Sequence, residues 1–133
     1  MILYFLDKHF GDRRHMVSAY QPLFLEHNPK QFRELFVEDD FKLDYRILNA
    51  EVRKRGCNIP PLVNAYMNLS PTMLMFGTAI NHEFGNVEET GILIHVNELH
   101  EDKRKRHILS FIEERPEYKK RVKGSKVVFA KHK

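Results

Sequence analysis

Two apolar segments separated by a short polar segment constrain the fold of this chain more than any other feature. The runs TMLMFGTAI (72–80) and TGILIHVNEL (90–99) have the length and the content of aliphatic residues that favour β-strands. The intervening NHEFGNVEE contains two Asn and one Gly, which favour turns. We therefore predict two strands joined by a turn within residues 81–89.

This joining segment also carries residues that could bind a metal or move a proton: His82, Glu83, Glu88 and Glu89. Their order matches neither the H-E-x-x-H nor the C-x-x-C spacing, which present several ligands to one ion. Neighbouring residues of an extended segment point to opposite faces, so His82 and Glu83 are poorly placed to share an ion. We expect no metal site, and we interpret Glu88 and Glu89 as turn acids that face water unless a cleft opens there.

Helical patterns account for most of the remaining chain. Helices are predicted in the ranges 2–10, 28–36 (with Asn28 as its cap), 39–56, 58–70 and 100–115. The clearest, 39–56, repeats apolar residues at helical spacing and has acids at its start and bases at its end. Together with a last short strand predicted at 125–130, this mixture indicates an α/β (α+β) fold.

Four residues of the proline-led helix, Leu62, Val63, Tyr66 and Met67, are predicted to share its apolar face. Packing in the core is therefore the default interpretation of Tyr66. A tyrosine at such a position can also act as a general acid when its hydroxyl reaches a cleft. Both interpretations are consistent with the sequence.

The composition indicates one globular domain over residues 1–133, with 42% hydrophobic and 30% charged residues. Ten Phe and five Tyr are expected to supply much of the core. A single cysteine, Cys57, cannot form an intrachain disulfide, and no apolar run approaches the roughly 20 residues that span a bilayer. We therefore expect a cytoplasmic protein, in contact at most with the inner face of the membrane.

The basic surplus lies at one end, where residues 101–133 hold 12 Lys and Arg against 5 Asp and Glu. Such a helix and tail can attract an acidic protein or an anionic lipid surface, and it can equally be a solvated surface. Nucleic acid is not expected, because only Phe111 and Tyr118 are close enough to offer stacking. The chain also lacks the G-x-S-x-G nucleophile motif and both glycine-rich phosphate motifs.

The tract IPPLVNAYMNLSPTMLMFGTAINHEFGNVEETGILI resembles the C-terminal part of the hemolysin-like acyltransferases, which belong to the GNAT superfamily and include relatives of ornithine-lipid and glycine-lipid synthases. The resemblance rests on a proline-led helix, a strand, an N-x-x-F-G turn and the EETGILI strand start. The matching residues are Pro60, Pro61, Leu62, Val63, Ala65, Tyr66, Leu69, Asn81, Phe84 and Gly85. It implies a partial GNAT-like mixed sheet flanked by helices.

The resemblance also implies an activity. Such enzymes transfer a fatty acyl group from acyl carrier protein or acyl-CoA to the amine of a small amino acid in aminolipid synthesis. It makes Tyr66 the candidate acid and Glu89 the candidate base, and it assigns the acceptor pocket to Asn81, Phe84, Gly85 and Glu88. An acidic carrier protein, or a membrane surface, would contact the basic residues Lys103, Arg104, Lys105 and Arg106.

The same resemblance predicts that a strand and a loop that hold the donor should precede residues 2–10. Their absence from this sequence leads us to expect half of an enzyme, either a shortened gene or an inactive paralogue, with no cofactor bound by this chain alone. A half-sheet would expose an edge, which favours a homodimer. The alternative hypothesis is a non-catalytic binding module that holds an acidic protein or a membrane through residues 101–133.

Overall fold

The computed structural model describes residues 1–24, 29–37 and 39–115. The predicted cap Asn28, the predicted strand at 125–130 and the basic tail beyond 115 lie outside these ranges. The elements in chain order are α1 (Ile2–Phe10), α2 (Pro29–Leu35), α3 (Phe41–Lys54), α4 (Pro61–Met67), β1 (Leu74–Asn81), β2 (Val87–Leu93), α5 (Glu101–Arg104) and α6 (Ser110–Glu114). Helices and strands are thus mixed along the chain, which confirms the α/β (α+β) class.

The two strands form the predicted pair, an antiparallel hairpin in which Thr78 lies opposite Thr90 and Asn81 opposite Val87. The Thr78 and Thr90 hydroxyls are 2.7 Å apart and link the strands on the face that carries buried Met75. The register shifts between Met75 and Thr78, where Gly77 has φ of 95°, a conformation that few residues with a side chain adopt. The bulge bends β1 at this point.

The turn of the hairpin differs in length from the predicted one. It is a 3-10 helix, His82–Phe84, followed by Gly85 in the left-handed conformation with φ of 71°. Strand β2 begins at Val87 and ends at Leu93, so Glu88 and Glu89 lie within the strand rather than before it. The prediction that 94–99 continues the strand was wrong, because a second 3-10 helix spans Val96–Glu98.

The second edge of β1 is partly covered by the segment between α1 and α2. Isolated bridges join Gly11 to Met75 and Pro22 to Ala79, on either side of the bulge. The Asp12 N–H donates to the Met75 carbonyl at 2.9 Å, and the Leu23 N–H donates to the Thr78 carbonyl at 2.8 Å. Pro22 therefore occupies an edge position, as its missing N–H requires.

The core is built where α1 meets α3, α2 and the hairpin. Phe5 and Leu48 are fully buried, and the Phe5 ring lies 5.6 Å from Phe36 and 5.7 Å from Phe41 between ring centroids. Such tilted and edge-on aromatic pairs stabilise the fold by more than the burial of their surface area alone would. The core also includes Leu6, Phe10, Val52, Ile59, Met67, Met73 and Met75.

Helix α4 packs with only part of its predicted apolar face. Met67 is buried and Val63 half-buried, whereas Leu62 is 62% exposed and Tyr66 is 36% exposed. The two inner residues are four apart and so are the two outer ones, so they form adjacent stripes of a short helix. The prediction that Tyr66 packs in the core was therefore wrong.

The charged helix predicted at 100–115 is present, with one irregularity. Between α5 and α6, residues Lys105–Leu109 form a π-helical turn. Ile108 and Ile112 are half-buried, but Phe111 is 43% exposed, with the Arg115 guanidinium 4.9 Å from its ring centroid. Within the ranges that the structure describes, no helix has both the length and the apolar character to cross a membrane.

The start of α3 provides a test of local stability. The side-chain oxygen of Asp40 accepts from the Leu43 N–H at 2.9 Å, which satisfies one of the free donors of the first turn. We expect Asp40→Ala to lower the free energy of unfolding by about 1 kcal/mol in urea denaturation. The neighbouring Asp39→Ala is the matched control and should change it by less than about 0.5 kcal/mol. Equal effects of the two substitutions would contradict the capping role.

Candidate functional site

A buried carboxylate joins the end of α1 to the first turn of α3. Asp44 is fully buried, and its Oδ2 atom lies 2.6 Å from Lys8 Nζ and 2.9 Å from His9 Nε2. Lys8 also donates to the Phe36 carbonyl at 2.7 Å. A buried charge is tolerated when an opposite charge and hydrogen bonds compensate for its lost hydration, and the last turn of α1 provides both.

The position of the His9 ring is fixed by contacts on several sides. Its centroid lies 4.6 Å from that of Phe5, and it meets Phe41 edge-on at 5.5 Å. A carboxylate has only acceptor atoms, so the proton shared with Asp44 belongs to Nε2 of His9. The other ring nitrogen, Nδ1, forms no hydrogen bond within the part of the chain that the structure describes.

His9 lines a cavity of about 660 Å³, which we call the apolar cavity. Its size is in the range of pockets that bind small ligands. Aromatic and aliphatic side chains form much of the wall, with polar and cationic groups between them. The lining residues are His9, Phe10, Phe41, Lys42, Tyr45, Arg46, Met67, Asn68, Pro71 and His100.

The second oxygen of Asp44 is unusual. Oδ1 is buried and has no hydrogen-bond partner among the described residues. Buried polar atoms are nearly always paired. The hydrogen bonds from Lys8 and from His9 are therefore both made to the same oxygen atom of the carboxylate, Oδ2.

A second concavity, which we call the basic cleft, adjoins the apolar cavity. Asn68 and His100 line both. The remaining walls of the basic cleft are Asn64, Ala65, Leu69, Asp102, Lys103, Arg106 and His107. The His100 N–H donates to the Leu69 carbonyl at 2.9 Å, which holds the start of α5 against the end of α4.

The four basic residues that the resemblance assigned to a partner lie on α5 and the π-helical turn. Only Lys103 and Arg106 line the basic cleft. Lys103 lies 3.4 Å from Asp102, and Lys105 pairs with Glu101 at 2.9 Å. The hydrogen bond from Lys105 lowers the pKa of Glu101, and the pKa of Lys105 is raised by the same contact. Part of the predicted positive charge is thus compensated locally.

Two of the predicted site residues do meet at the hairpin: Asn81 of the predicted acceptor pocket and Glu89, the predicted base. Asn81 Nδ2 donates to Glu89 Oε1 at 3.1 Å, and the Asn81 Oδ1 atom accepts from the Glu83 and Phe84 N–H groups. Both side chains line a shallow hairpin groove together with Tyr20. Glu88 faces the opposite side of β2, and Phe84 is 71% exposed.

The sequence-based site is therefore not assembled as one unit in this structure. Tyr66 on α4 lines neither the hairpin groove nor the apolar cavity, and Glu89 lines only the groove. Gly85 forms the turn as expected but lines neither of these concavities. The catalytic and binding roles given to these residues stay predictions. For metals, the described residues contain no group of three or more potential ligands.

Sequence reasoning missed the trio Lys8, His9 and Asp44. A signal was present, because Asp44 lies beside Tyr45 in the apolar stripe of α3, where an acid is out of place. A buried acid implies a buried partner, and the end of an aromatic-rich helix at 2–10 offers a lysine and a histidine. Nothing in the sequence says that these two helices meet.

Comparison with known proteins gives two strong matches. The chain is 63% identical over 129 residues to a protein of Bacteroides thetaiotaomicron, covering 97% of this chain, and 60% identical over 131 residues to one of Phocaeicola vulgatus, covering 98%. Both relatives are named glycine Nα-acyltransferase. This chain is similar to part of each. It spans 38% and 40% of their lengths, about two fifths.

No family model and no solved structure matches the chain. The similarity to the two glycine Nα-acyltransferases agrees with the acyltransferase part of the sequence-based resemblance. It does not extend to the assignment to the GNAT superfamily or to the hemolysin-like group, which remains a proposal.

The buried carboxylate gives a prediction about stability. Asp44→Ala removes the partner of a largely buried ammonium group, so we expect the free energy of unfolding to fall by about 3 kcal/mol in urea denaturation. Asp7→Ala is the matched control, because it removes an exposed partner of Arg13 from the same helix α1. That change should cost less than about 1 kcal/mol. A similar small loss for both would show that the buried pair does not hold α1 to α3.

Proposed function

We propose that this chain is part of an N-acyltransferase that transfers a fatty acyl group from a thioester to the amine of glycine. The observation that carries the proposal is the identity of 63% and 60%, over nearly all of this chain, to two proteins named glycine Nα-acyltransferase. Identity at this level, spread over the whole described fold, favours a common reaction. The donor is acyl carrier protein or acyl-CoA.

The reaction needs little from the protein beyond placement and proton transfer. The amine nitrogen attacks the thioester carbonyl, a C–N bond forms, the C–S bond breaks, and the thiol leaves with a proton. A basic group for the amine proton and a donor for the carbonyl oxygen are sufficient, without a covalent enzyme intermediate. The products are an N-acyl amino acid and a free thiol.

The apolar cavity supports the proposal. Its volume of about 660 Å³ and its aromatic walls suit the acyl end of a thioester. Lys42 and Arg46, one helical turn apart on α3, offer cations for the carboxylate of glycine. This combination of an apolar wall with a few polar groups is expected where a lipid-like donor meets a small charged acceptor.

Several further expectations belong to this proposal. Assignment to the GNAT superfamily would make the hairpin one part of a mixed sheet, and the free edge of β2 would then pair within a longer enzyme or in a homodimer. Tyr66 and Glu89 remain candidates for acid and base, with Asn81 and Glu88 near the acceptor. A location in the cytoplasm, at the inner face of the membrane, also belongs to the proposal, because the acyl donor would be met there.

A direct assay tests the proposed reaction. We expect this chain alone to be inactive with long-chain acyl carrier protein and glycine, because about 60% of the length of each relative lies outside the matched segment. A chimera in which this chain replaces the matching segment of the Bacteroides thetaiotaomicron relative should form N-acylglycine, detected by mass spectrometry. Ornithine as the acceptor measures selectivity, and the unmodified relative is the positive control.

An inactive chimera beside an active relative would count against the proposal, provided that circular dichroism shows both proteins folded. If the chimera acylated ornithine and not glycine, the proposed acyl transfer would stand, but the acceptor would be ornithine.

The basic cleft favours a second candidate function, a non-catalytic module that holds an acidic protein or a membrane surface. Lys103 and Arg106 face the cleft beside two histidines. This candidate predicts binding to acyl carrier protein or to anionic vesicles that weakens as salt rises, since exposed charges are screened. Replacing Lys103, Arg104, Lys105 and Arg106 with Gln should abolish it. Binding that changes neither with salt nor with these substitutions would rule out a binding module of this kind.

A further inference from the structure

We propose that His9 is the group that accepts the amine proton during acyl transfer, and that Asp44 and Lys8 are its positioning residues. This inference rests on the proposed function, because it assigns a proton acceptor to that reaction. The observation behind it is the meeting, at one wall of the apolar cavity, of an oriented imidazole and a buried carboxylate.

The orientation of His9 suits the role. Nε2 is bound to Asp44 Oδ2 at 2.9 Å, so the neutral ring carries its proton there and its lone pair on Nδ1. Phe5 and Phe41 contact the ring and limit its rotation. The side chain keeps 11% of its surface exposed, and it lines the apolar cavity. A base of this kind has a fixed direction and a route to a ligand.

Lys8 completes the arrangement by holding the carboxylate. Its ammonium contacts the same Asp44 oxygen at 2.6 Å and the Phe36 carbonyl at 2.7 Å. Neither Lys8 nor Asp44 lines the apolar cavity, so the His9 imidazole is the group of the trio that faces it. When His9 takes up a proton, the adjacent carboxylate stabilises the imidazolium, as in other catalytic histidine–carboxylate pairs.

The proposed step balances as follows. The glycine nitrogen forms a bond to the thioester carbonyl carbon, and the carbonyl π electrons move to the oxygen. Nδ1 of His9 takes a proton from that nitrogen. The C=O bond is restored as the C–S bond breaks, and the departing sulfur takes the proton from Nδ1. His9 ends neutral, and no oxidant, metal or further reactant is consumed.

Glu89 is the competing base from the sequence, and its setting differs. It is exposed, it is hydrogen-bonded to Asn81, and it lines the hairpin groove rather than the apolar cavity. His9 is nearly buried among aromatic rings, where a proton acceptor is shielded from water. The two hypotheses therefore place the reacting amine in different concavities.

The test uses the active chimera described above with His9→Gln. The Gln amide can still donate to Asp44 from the position of Nε2, but it supplies no lone pair in place of Nδ1. We expect kcat to fall by about 100-fold or more while KM for glycine changes less than about threefold. Exposed His95, which makes no side-chain cap bond, provides the matched control His95→Gln, which should retain parental kcat.

Further measurements separate a catalytic role from a structural one. Thermal melts should show His9→Gln folded, and His9→Asn is carried in parallel as a second variant. Imidazole in the buffer should restore part of the kcat of His9→Ala but not raise that of Glu89→Gln.

Retention of parental kcat by folded His9→Gln or His9→Asn would overturn the inference while leaving the proposed acyl transfer intact. So would a 100-fold loss in Glu89→Gln that imidazole does not affect, combined with a small effect at His9. An inactive parent chimera beside an active relative would instead overturn the proposed function, and this inference with it.

Discussion

The contact of the Asp44 carboxylate with Lys8 and His9 sets the arrangement of the remaining elements. It fixes the end of α1 against the first turn of α3, and the aromatic core forms around that crossing. A buried acid without these partners would carry a large desolvation cost, so the two helices can meet in few other ways. Directly after α1, the Asp12 N–H donates a hydrogen bond to the Met75 carbonyl of β1. The position of the hairpin therefore depends on the same crossing of α1 and α3.

Much of the architecture could be predicted because local chemistry specifies it. The acids before α3, the glycine after it and Gly85 in the hairpin turn are local signals of this kind, and each lies at the boundary of an element. The strand pair follows from two apolar runs and a short connection. Predictions failed where tertiary contacts decide. Strand β2 gains its first residues by pairing with β1, and its end is fixed by the return of the chain to α4, through Ser70 and the Glu98 carbonyl.

The candidate site was predictable only in part, for a related reason. Asn81 and Glu89 are eight residues apart on one hairpin, and turn chemistry alone brings them together. His9 and Asp44 are 35 positions apart with helix α2 between them, and no local pattern records their contact. The periodicity of α4 assigned Tyr66 to the interior, since a seven-residue helix cannot show which of two neighbouring stripes faces the core. A polar residue within an apolar stripe, such as Asp44 in α3, is a more useful indication of a site than the periodicity of a short helix.

The π-helical turn at Lys105–Leu109 has a geometric consequence for everything that follows it. An α-helix advances by about 100° per residue, and a π turn accommodates one additional residue without lengthening the helix by a full step. The side chains of α6 are therefore rotated by about one residue relative to the stripe that α5 begins. Phe111 on α6 is exposed, and its ring contacts the Arg115 guanidinium. The additional residue in this turn therefore decides which side chains of α6 face the solvent, whatever residues the turn itself contains.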